Sequence, residues 1–153
     1  IYRFDAHGYM VTGWVYEGGR WFYYGPSGGQ ASGWVRVAGS WYYLDPLSGA
    51  MASGWTKVRD TWYYLSPDGA MRTGWVRDGS SWYYLSADGA MATGWVRVGS
   101  SWYYLSSSGA MATGWLRDGG SWFYLSSSGA MVTGSRWIDG TRYSFDAEGR
   151  LLP

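Results

Sequence analysis

The chain has 153 residues, a formal net charge of +1 and only 15% charged residues, without a basic cluster. This balance argues against nucleic acid and anionic membranes as partners. No apolar run is long enough to span a bilayer, and the absence of cysteine excludes disulfides and thiolate metal sites. Aromatic residues make up 21%, with 13 Trp and 15 Tyr against 4 Phe, and Trp and Tyr are typical of binding surfaces.

Residues 1–12 have the pattern of the tail of a repeating unit: a strand, a turn around His7-Gly8, and then Met10. The printed residues contain no stretch with the pattern of a signal peptide. We therefore expect the chain to be a processed or excised segment of a longer polypeptide.

Six complete units follow, each opened by Gly-Trp, and the opening tryptophans are spaced by 20, 21, 20, 20 and 20 residues. A second Trp follows each opening Trp by seven residues. A fixed period of about twenty residues is typical of a repeat architecture, in which each unit buries its apolar surface against its neighbours. We predict one module over residues 1–153, with atypical ends at 1–12 and 134–153. The units begin near Gly13, Gly33, Gly54, Gly74, Gly94 and Gly114.

Within one unit, Trp75 to Arg77 alternates as a strand, Asp78-Gly79 is a hairpin-turn signal, and Ser81 to Ser86 forms a second strand. No segment has the period of an amphipathic helix. The predicted fold is all-β, a solenoid of stacked β-hairpins with repeats of about twenty residues.

Side chains alternate between the two faces of a strand. In the second strand of a unit, Trp82 and Tyr84 therefore share one face, and Tyr83 and Leu85 share the other. The middle aromatic position is also where Phe replaces Tyr, which indicates that its face is the packed one. These replacements are Phe22 and Phe123.

Residues 134–153 are a degenerate unit. Ser135 stands at the opening Trp position, Arg142 at the second Trp position and Ser144 at the last Tyr position. Atypical terminal units are expected as caps of a repeat array.

Residues suited to catalysis are scarce. His7 is the only histidine and lies in a turn, so no histidine is placed to activate the abundant serines. The Asp-Gly pairs are typical of turn formation, and no metal-ligand or phosphate-loop spacing occurs. We predict that the chain is not an enzyme and needs no cofactor or metal.

Each hairpin presents two Trp, a Tyr and a nearby Met. Aromatic faces attract a quaternary ammonium by roughly 0.5–2 kcal/mol per contact. Two alternatives stay open from these residues alone: the rings could form the core between hairpins, or they could stack on sugar rings.

The segment GWVRVGSSWYYLSSSGAMATGW, residues 94–115, resembles the choline-binding repeat of bacterial cell-wall-binding modules, and the resemblance covers nearly the whole chain. It implies a site between consecutive hairpins, made by both Trp of one hairpin and the last Tyr of the next unit, often with a Met. The implied ligand is choline, on the phosphocholine of teichoic or lipoteichoic acid.

Carried over by position, the resemblance implies five sites and one incomplete pair. In the first, Gln30 replaces Met; in the incomplete pair, Ser144 replaces the third ring. The sets are Trp14, Trp21 and Tyr43; Trp34, Trp41, Tyr64 and Met51; Trp55, Trp62, Tyr84 and Met71; Trp75, Trp82, Tyr104 and Met91; Trp95, Trp102, Tyr124 and Met111; and the pair Trp115 and Trp122.

The predicted function is a non-catalytic, extracellular module that anchors an attached protein to phosphocholine on the bacterial cell wall. In five of the six units, a cation two residues after the opening Trp shares its face and is a candidate to meet the phosphate. A glucan-binding repeat module and a structural or self-association repeat are the alternatives, and a homodimer through an end hairpin is possible. The cations are Arg36, Lys57, Arg77, Arg97 and Arg117.

Overall fold

The computed structural model describes residues 1–153 and contains seven antiparallel β-hairpins, with no helix capable of crossing a membrane. Every strand has five residues, and each hairpin is a separate two-stranded sheet. The predicted all-β fold with repeats of about twenty residues is confirmed. In chain order the strands are β1 Gly13–Glu17, β2 Arg20–Tyr24, β3 Gly33–Val37, β4 Ser40–Leu44, β5 Gly54–Val58, β6 Thr61–Leu65, β7 Gly74–Asp78, β8 Ser81–Leu85, β9 Gly94–Val98, β10 Ser101–Leu105, β11 Gly114–Asp118, β12 Ser121–Leu125, β13 Gly134–Ile138 and β14 Thr141–Phe145.

Two-residue turns close the hairpins. At Asp139-Gly140 the φ angles of 48° and 80° are both positive, as a hairpin turn that matches the strand twist requires. The predicted turn at Asp78-Gly79 is one residue too early. Asp78 ends β7 and pairs with Ser81, so the turn residues are 79 and 80.

The core is a series of leucines that end the second strands. Leu85 has no exposed surface and pairs across the hairpin with Gly74, the glycine of Gly-Trp. Gly74 has φ of 74°, and a Cβ atom at this position would meet no other atom within 4 Å, so backbone conformation rather than space requires glycine here. The fully buried leucines are Leu44, Leu65, Leu85, Leu105 and Leu125.

A short turn leads from each core leucine to the next unit. After Leu125, the Gly129 N–H donates to the Ser126 carbonyl at 2.8 Å, and Met131 then pairs with Leu125 in an antiparallel bridge. The one 21-residue spacing has its extra residue in such a turn, where Leu47 is 99% exposed. The insertion therefore leaves the strands on either side unchanged.

Both terminal segments keep this design. Phe4 and Met10 form the same bridge around the predicted turn that holds His7. At the other end, β13 and β14 form a regular hairpin although Trp has been lost at two positions. Trp137 pairs with Arg142 there, which reverses the Arg–Trp order of the preceding hairpin.

By their internal contacts the residues divide into two compact units. One contains residues 1–73 and 87–90, with β1 to β6; the other contains residues 74–86 and 91–153, with β7 to β14. The interpretation of the whole chain as one continuous array stays a prediction from the sequence.

Candidate functional site

One face of each hairpin carries both tryptophans. In β7 and β8, Trp75 pairs with Tyr84 and Arg77 pairs with Trp82, and all four side chains lie on the same face. Trp82 is 41% exposed, although it is a large aromatic residue. One half-buried and one exposed Trp ring, held in place by the hairpin register, are therefore available to a ligand.

The following hairpin adds a third ring, and it is the middle aromatic of that hairpin's triplet. The centroid of Tyr103 lies 4.9 Å from that of Trp75, at an interplanar angle of 69°. Four other hairpins have the same contact at 4.8–4.9 Å. These pairs are Trp14–Tyr42, Trp34–Tyr63, Trp95–Phe123 and Trp115–Tyr143.

The structure places the last Tyr of the triplet elsewhere. Tyr104 was predicted to join Trp75 and Trp82, but its ring packs inside its own hairpin, 5.2 Å from Trp95. Alternation explains this, because Tyr104 shares a face with Trp95 and only the opposite face, which carries Tyr103, meets the preceding hairpin. The other predicted last Tyr residues pack in the same way, as Trp34–Tyr43, Trp55–Tyr64, Trp75–Tyr84 and Trp115–Tyr124.

The methionine of a site also comes from the following unit. Met111, rather than the predicted Met91, lines the cavity of Trp75 and Trp82. Its N–H donates to the Trp82 carbonyl at 2.8 Å, which holds the side chain at that edge. In the same way Met51 lines the cavity of Trp14 and Trp21, and Met71 that of Trp34 and Trp41.

A turn from two units further along forms the fourth wall, which the sequence did not predict. Ser127 and Ser128 line the cavity of Trp75 and Trp82. A Cβ atom built on the adjacent Gly129 would lie only 2.3 Å from Met111 Sδ, so glycine is required for this turn to pack on the methionine. The turn residues at the other cavities are Asp68; Ala87 and Asp88; and Ala147, Glu148 and Arg150.

Four such cavities are open to solvent, and their volumes are within or near the usual size of small-molecule sites. The cavity between Trp75 and Trp82 measures about 250 Å³, that between Trp14 and Trp21 about 290 Å³, and that between Trp34 and Trp41 about 360 Å³. The cavity of Trp95 and Trp102 is the largest, at about 530 Å³.

The cavity of Trp95 and Trp102 differs in two further respects. Its third ring is Phe123, which is 9% exposed. The Trp95 indole N–H donates to a carboxylate oxygen of Asp118 at 2.9 Å, whereas the position equivalent to Asp118 next to Trp75 is Val98. A charged acceptor therefore fixes the orientation of the Trp95 ring.

The pair Trp115 and Trp122 was expected to lack a third ring because of Ser144. The structure places the ring of Tyr143 only 4.9 Å from Trp115, at the middle position that serves the other sites. Leu151 takes the place of Met, and its N–H donates to the Trp122 carbonyl at 2.8 Å. The guanidinium carbon of Arg117 lies 6.0 Å from the Trp122 ring, so this ring already has a cation neighbour.

The predicted set of Trp55, Trp62, Tyr84 and Met71 has members in both compact units. Within its own unit, Trp62 is 40% exposed, as its equivalents are. In the same unit, Met71 lies against Gly89 and lines the cavity of Trp34 and Trp41.

The charged groups near the cavities are few. A hydrogen bond from the Ser66 hydroxyl holds the pKa of Asp68 below its usual value, so this exposed carboxylate is ionised at neutral pH. Glu148 forms an ion pair of 3.0 Å with Arg150. No group of three or more His, Cys, Asp or Glu residues is placed to hold a metal ion. The sites can therefore offer aromatic faces and single carboxylates to a ligand.

The repeated sequence and this geometry can now be compared with known proteins. The model of the choline-binding repeat matches residues 17–54, 52–93 and 92–134. The chain belongs to the choline-binding repeat family. Repeats of this family are a non-catalytic module. Comparison with curated protein sequences gives no match.

Solved structures of choline-binding proteins are similar over almost the whole chain. CbpJ of Streptococcus pneumoniae is 42% identical, with a TM-score of 0.96 over 99% of this chain and 56% of CbpJ. Choline-binding protein F of the same organism is also 42% identical, with a TM-score of 0.92 over 99% of this chain and 55% of that protein. The chain thus spans little more than half the length of these relatives.

A phage enzyme provides a comparison with bound ligand. The pneumococcal cell-wall endolysin from phage Cp-1, solved in complex with choline, is 36% identical over 80% of this chain and 37% of the endolysin, with a TM-score of 0.57. The catalytic domains of such multidomain relatives lie outside the repeats.

Proposed function

We propose that this chain binds choline and phosphocholine groups of cell-wall polymers and so holds an attached protein at the bacterial surface. The observation that carries the proposal is the repeated cavity lined by the two Trp rings of one hairpin, one ring of the next and a methionine. The best described example consists of Trp75, Trp82, Tyr103 and Met111. Its ligand chemistry agrees with the family and with the choline complex of the phage Cp-1 endolysin.

The physical argument concerns the cation. A quaternary ammonium has no N–H to donate, so it gains little from hydrogen-bond acceptors and much from aromatic faces. Each well-placed ring contributes roughly 0.5–2 kcal/mol, and more where water is excluded. The methyl groups also bury apolar surface against Trp82 and Met111, which line the cavity.

In the proposed sites, the middle aromatic residue of the triplet stands in place of the predicted last Tyr, and the Met belongs to the following unit. Trp115 and Trp122 with Tyr143 and Leu151 form a further candidate, and Arg117 already lies next to the Trp122 ring there. The sites proposed with a described cavity are Trp14, Trp21, Tyr42 and Met51; Trp34, Trp41, Tyr63 and Met71; Trp75, Trp82, Tyr103 and Met111; and Trp95, Trp102, Phe123 and Met131.

Several sites on one chain favour retention on a polymer that carries many choline groups. Once one site is occupied, the local concentration of the neighbouring choline groups rises, so avidity exceeds the affinity of a single site.

The exposed Arg77 lies in register with Trp82 and would approach a phosphate beside the bound ammonium. Arg77→Ala should therefore weaken phosphocholine binding more than choline binding; an equal loss for both would exclude a phosphate contact.

The test is a choline titration followed by intrinsic Trp fluorescence and by melting temperature, with dextran as the parallel ligand. Choline should give a saturable change and raise the melting temperature, because a ligand that binds only the folded state at 100 times its Kd adds about 2.7 kcal/mol per site. A response to dextran alone would assign the chain to glucan binding. No response to either would leave the rings with a packing role only.

A further inference from the structure

The fourth wall varies from one cavity to the next, whereas two Trp and one Met line all four. Three cavities each have two Trp, one Tyr and one Met. Their turns differ at the position before glycine, which is Asp68, Asp88 or Ser128. The cavities of Trp34 and Trp41 and of Trp75 and Trp82 also share an Arg in register with the second Trp, so a comparison of these two tests the charge of the turn residue.

We infer that this turn residue sets the ligand preference of each cavity: the Asp68 and Asp88 walls favour the free choline cation, and the Ser128 wall favours phosphocholine. The inference rests on the proposed function and assigns roles within its sites. A carboxylate at the rim attracts the ammonium group and repels the phosphate next to it, whereas a serine hydroxyl does not repel the phosphate and can donate to it.

The hydrogen bonds of these turns support the inference. Asp68 accepts from the Ser66 hydroxyl and from the Ala70 N–H, and these bonds keep its pKa low and its charge in place. Asp88 accepts from the Ala90 N–H at 3.2 Å through the same oxygen, Oδ1. Each carboxylate is thereby fixed at its turn by one oxygen, in a residue that lines a cavity.

Serine and aspartate are interchangeable in this turn. Ser128 makes a 2.8 Å hydrogen bond to the Ser126 hydroxyl, which is the counterpart of the bond between Ser66 and Asp68. Reciprocal substitutions should therefore fold, and their effects on binding can be attributed to charge.

The cavity of Trp95 and Trp102 provides an internal contrast. Its turn position is Glu148, but Arg150 forms an ion pair with this residue and lines the same cavity. The two charges cancel at close range, so this cavity should show little preference from its turn.

The experiment is a site-resolved NMR titration of the full chain with choline and, separately, with phosphocholine. The indole N–H signals of Trp41 and Trp82, assigned by single Trp→Phe variants, report the Asp88-walled and the Ser128-walled cavities. At low salt, the ratio of choline affinity to phosphocholine affinity should be about threefold to tenfold higher at Trp41 than at Trp82. The difference should shrink in 0.5 M NaCl, where screening acts over a few ångströms.

The substitutions Asp88→Ser and Ser128→Asp should exchange the two preferences, and the neutral isostere 3,3-dimethylbutan-1-ol should bind the variants and the original chain equally. Saturable choline binding with the same ratio at both cavities, or a ratio that does not follow the substitutions, would overturn the inference and leave the proposed function intact. Absence of choline binding at every Trp would instead reject the proposed function, and with it this inference.

Discussion

Replacing one tyrosine of a triplet should weaken binding at Trp75 and Trp82, whereas replacing the other should leave it unchanged. Tyr103 lies 4.9 Å from Trp75 across the gap between hairpins, and it lines the cavity. Tyr104 lies 5.2 Å from Trp95 in its own hairpin. Tyr103→Leu keeps apolar volume but removes a ring face worth about 1 kcal/mol to a cation, so choline affinity at this cavity should fall about fivefold.

Tyr104→Leu is the matched control. It removes an aromatic pair worth about 0.5–1.5 kcal/mol of unfolding free energy, so the melting temperature should fall by a few degrees. Choline affinity at the cavity of Trp75 and Trp82 should stay within about twofold, since no atom that lines it changes.

The assay is the choline titration of the Trp82 indole N–H signal, with thermal unfolding of each variant measured in parallel. Affinity that falls in the Tyr104 variant and stays constant in the Tyr103 variant would contradict the geometric assignment. It would restore the last tyrosine as the third wall.

Two further variants test parts of the walls. Gly129 has φ of 84°, and a Cβ atom there would lie 2.3 Å from Met111 Sδ, so Gly129→Ala should displace Met111 and weaken choline binding at the adjacent cavity. The control is Gly119→Ala, at φ of 54° with open space around it, which should cost only about 1 kcal/mol of stability and leave binding unchanged. Equal binding losses in a titration of both variants would argue against the role of Met111. Asp118→Val removes the acceptor of the Trp95 indole N–H and should cost about 1 kcal/mol of stability, measured by denaturant unfolding. The NMR signal of the Trp95 indole N–H should also move to the position of an N–H without a hydrogen bond. An unchanged signal would disprove the hydrogen bond.

Much of the fold can be predicted from the sequence because the same pattern of residues occurs six times. Six Gly-Trp units fix the period, and alternation within each strand fixes the faces. The hairpins formed as predicted even where Ser135 and Ser144 replace the aromatic residues, because turn and register do not depend on those rings. The turn was predicted one residue too early, at Asp78-Gly79. An Asp-Gly pair also fits where Asp is the last residue of the strand and Gly is the first residue of the turn, as at Asp78 and Gly79.

The candidate site was predicted less completely. The sequence predicted both tryptophans that line each described cavity, but the third ring was assigned by resemblance to the last tyrosine. The alternation of Tyr103 and Tyr104 implied that only one of them could face the preceding hairpin, and the Phe replacements at the middle position indicated that its face is the packed one, in agreement with the contact of Tyr103 with Trp75. The turn at Ser127 and Ser128 lay beyond prediction, because a contact between units two apart depends on how successive hairpins rotate, and no residue pattern records that rotation.

Residues from three successive units line each cavity, and part of its wall lies more than thirty residues after its tryptophans in the sequence. Deleting residues 134–153 would remove Ala147, Glu148 and Arg150 from the cavity of Trp95 and Trp102, while that of Trp75 and Trp82 would keep every lining residue. Duplication or loss of one repeat in the gene therefore changes a wall of a preceding cavity, although the codons of the tryptophans in that cavity stay the same. Evolution of such an array therefore changes the walls of existing cavities as well as their number.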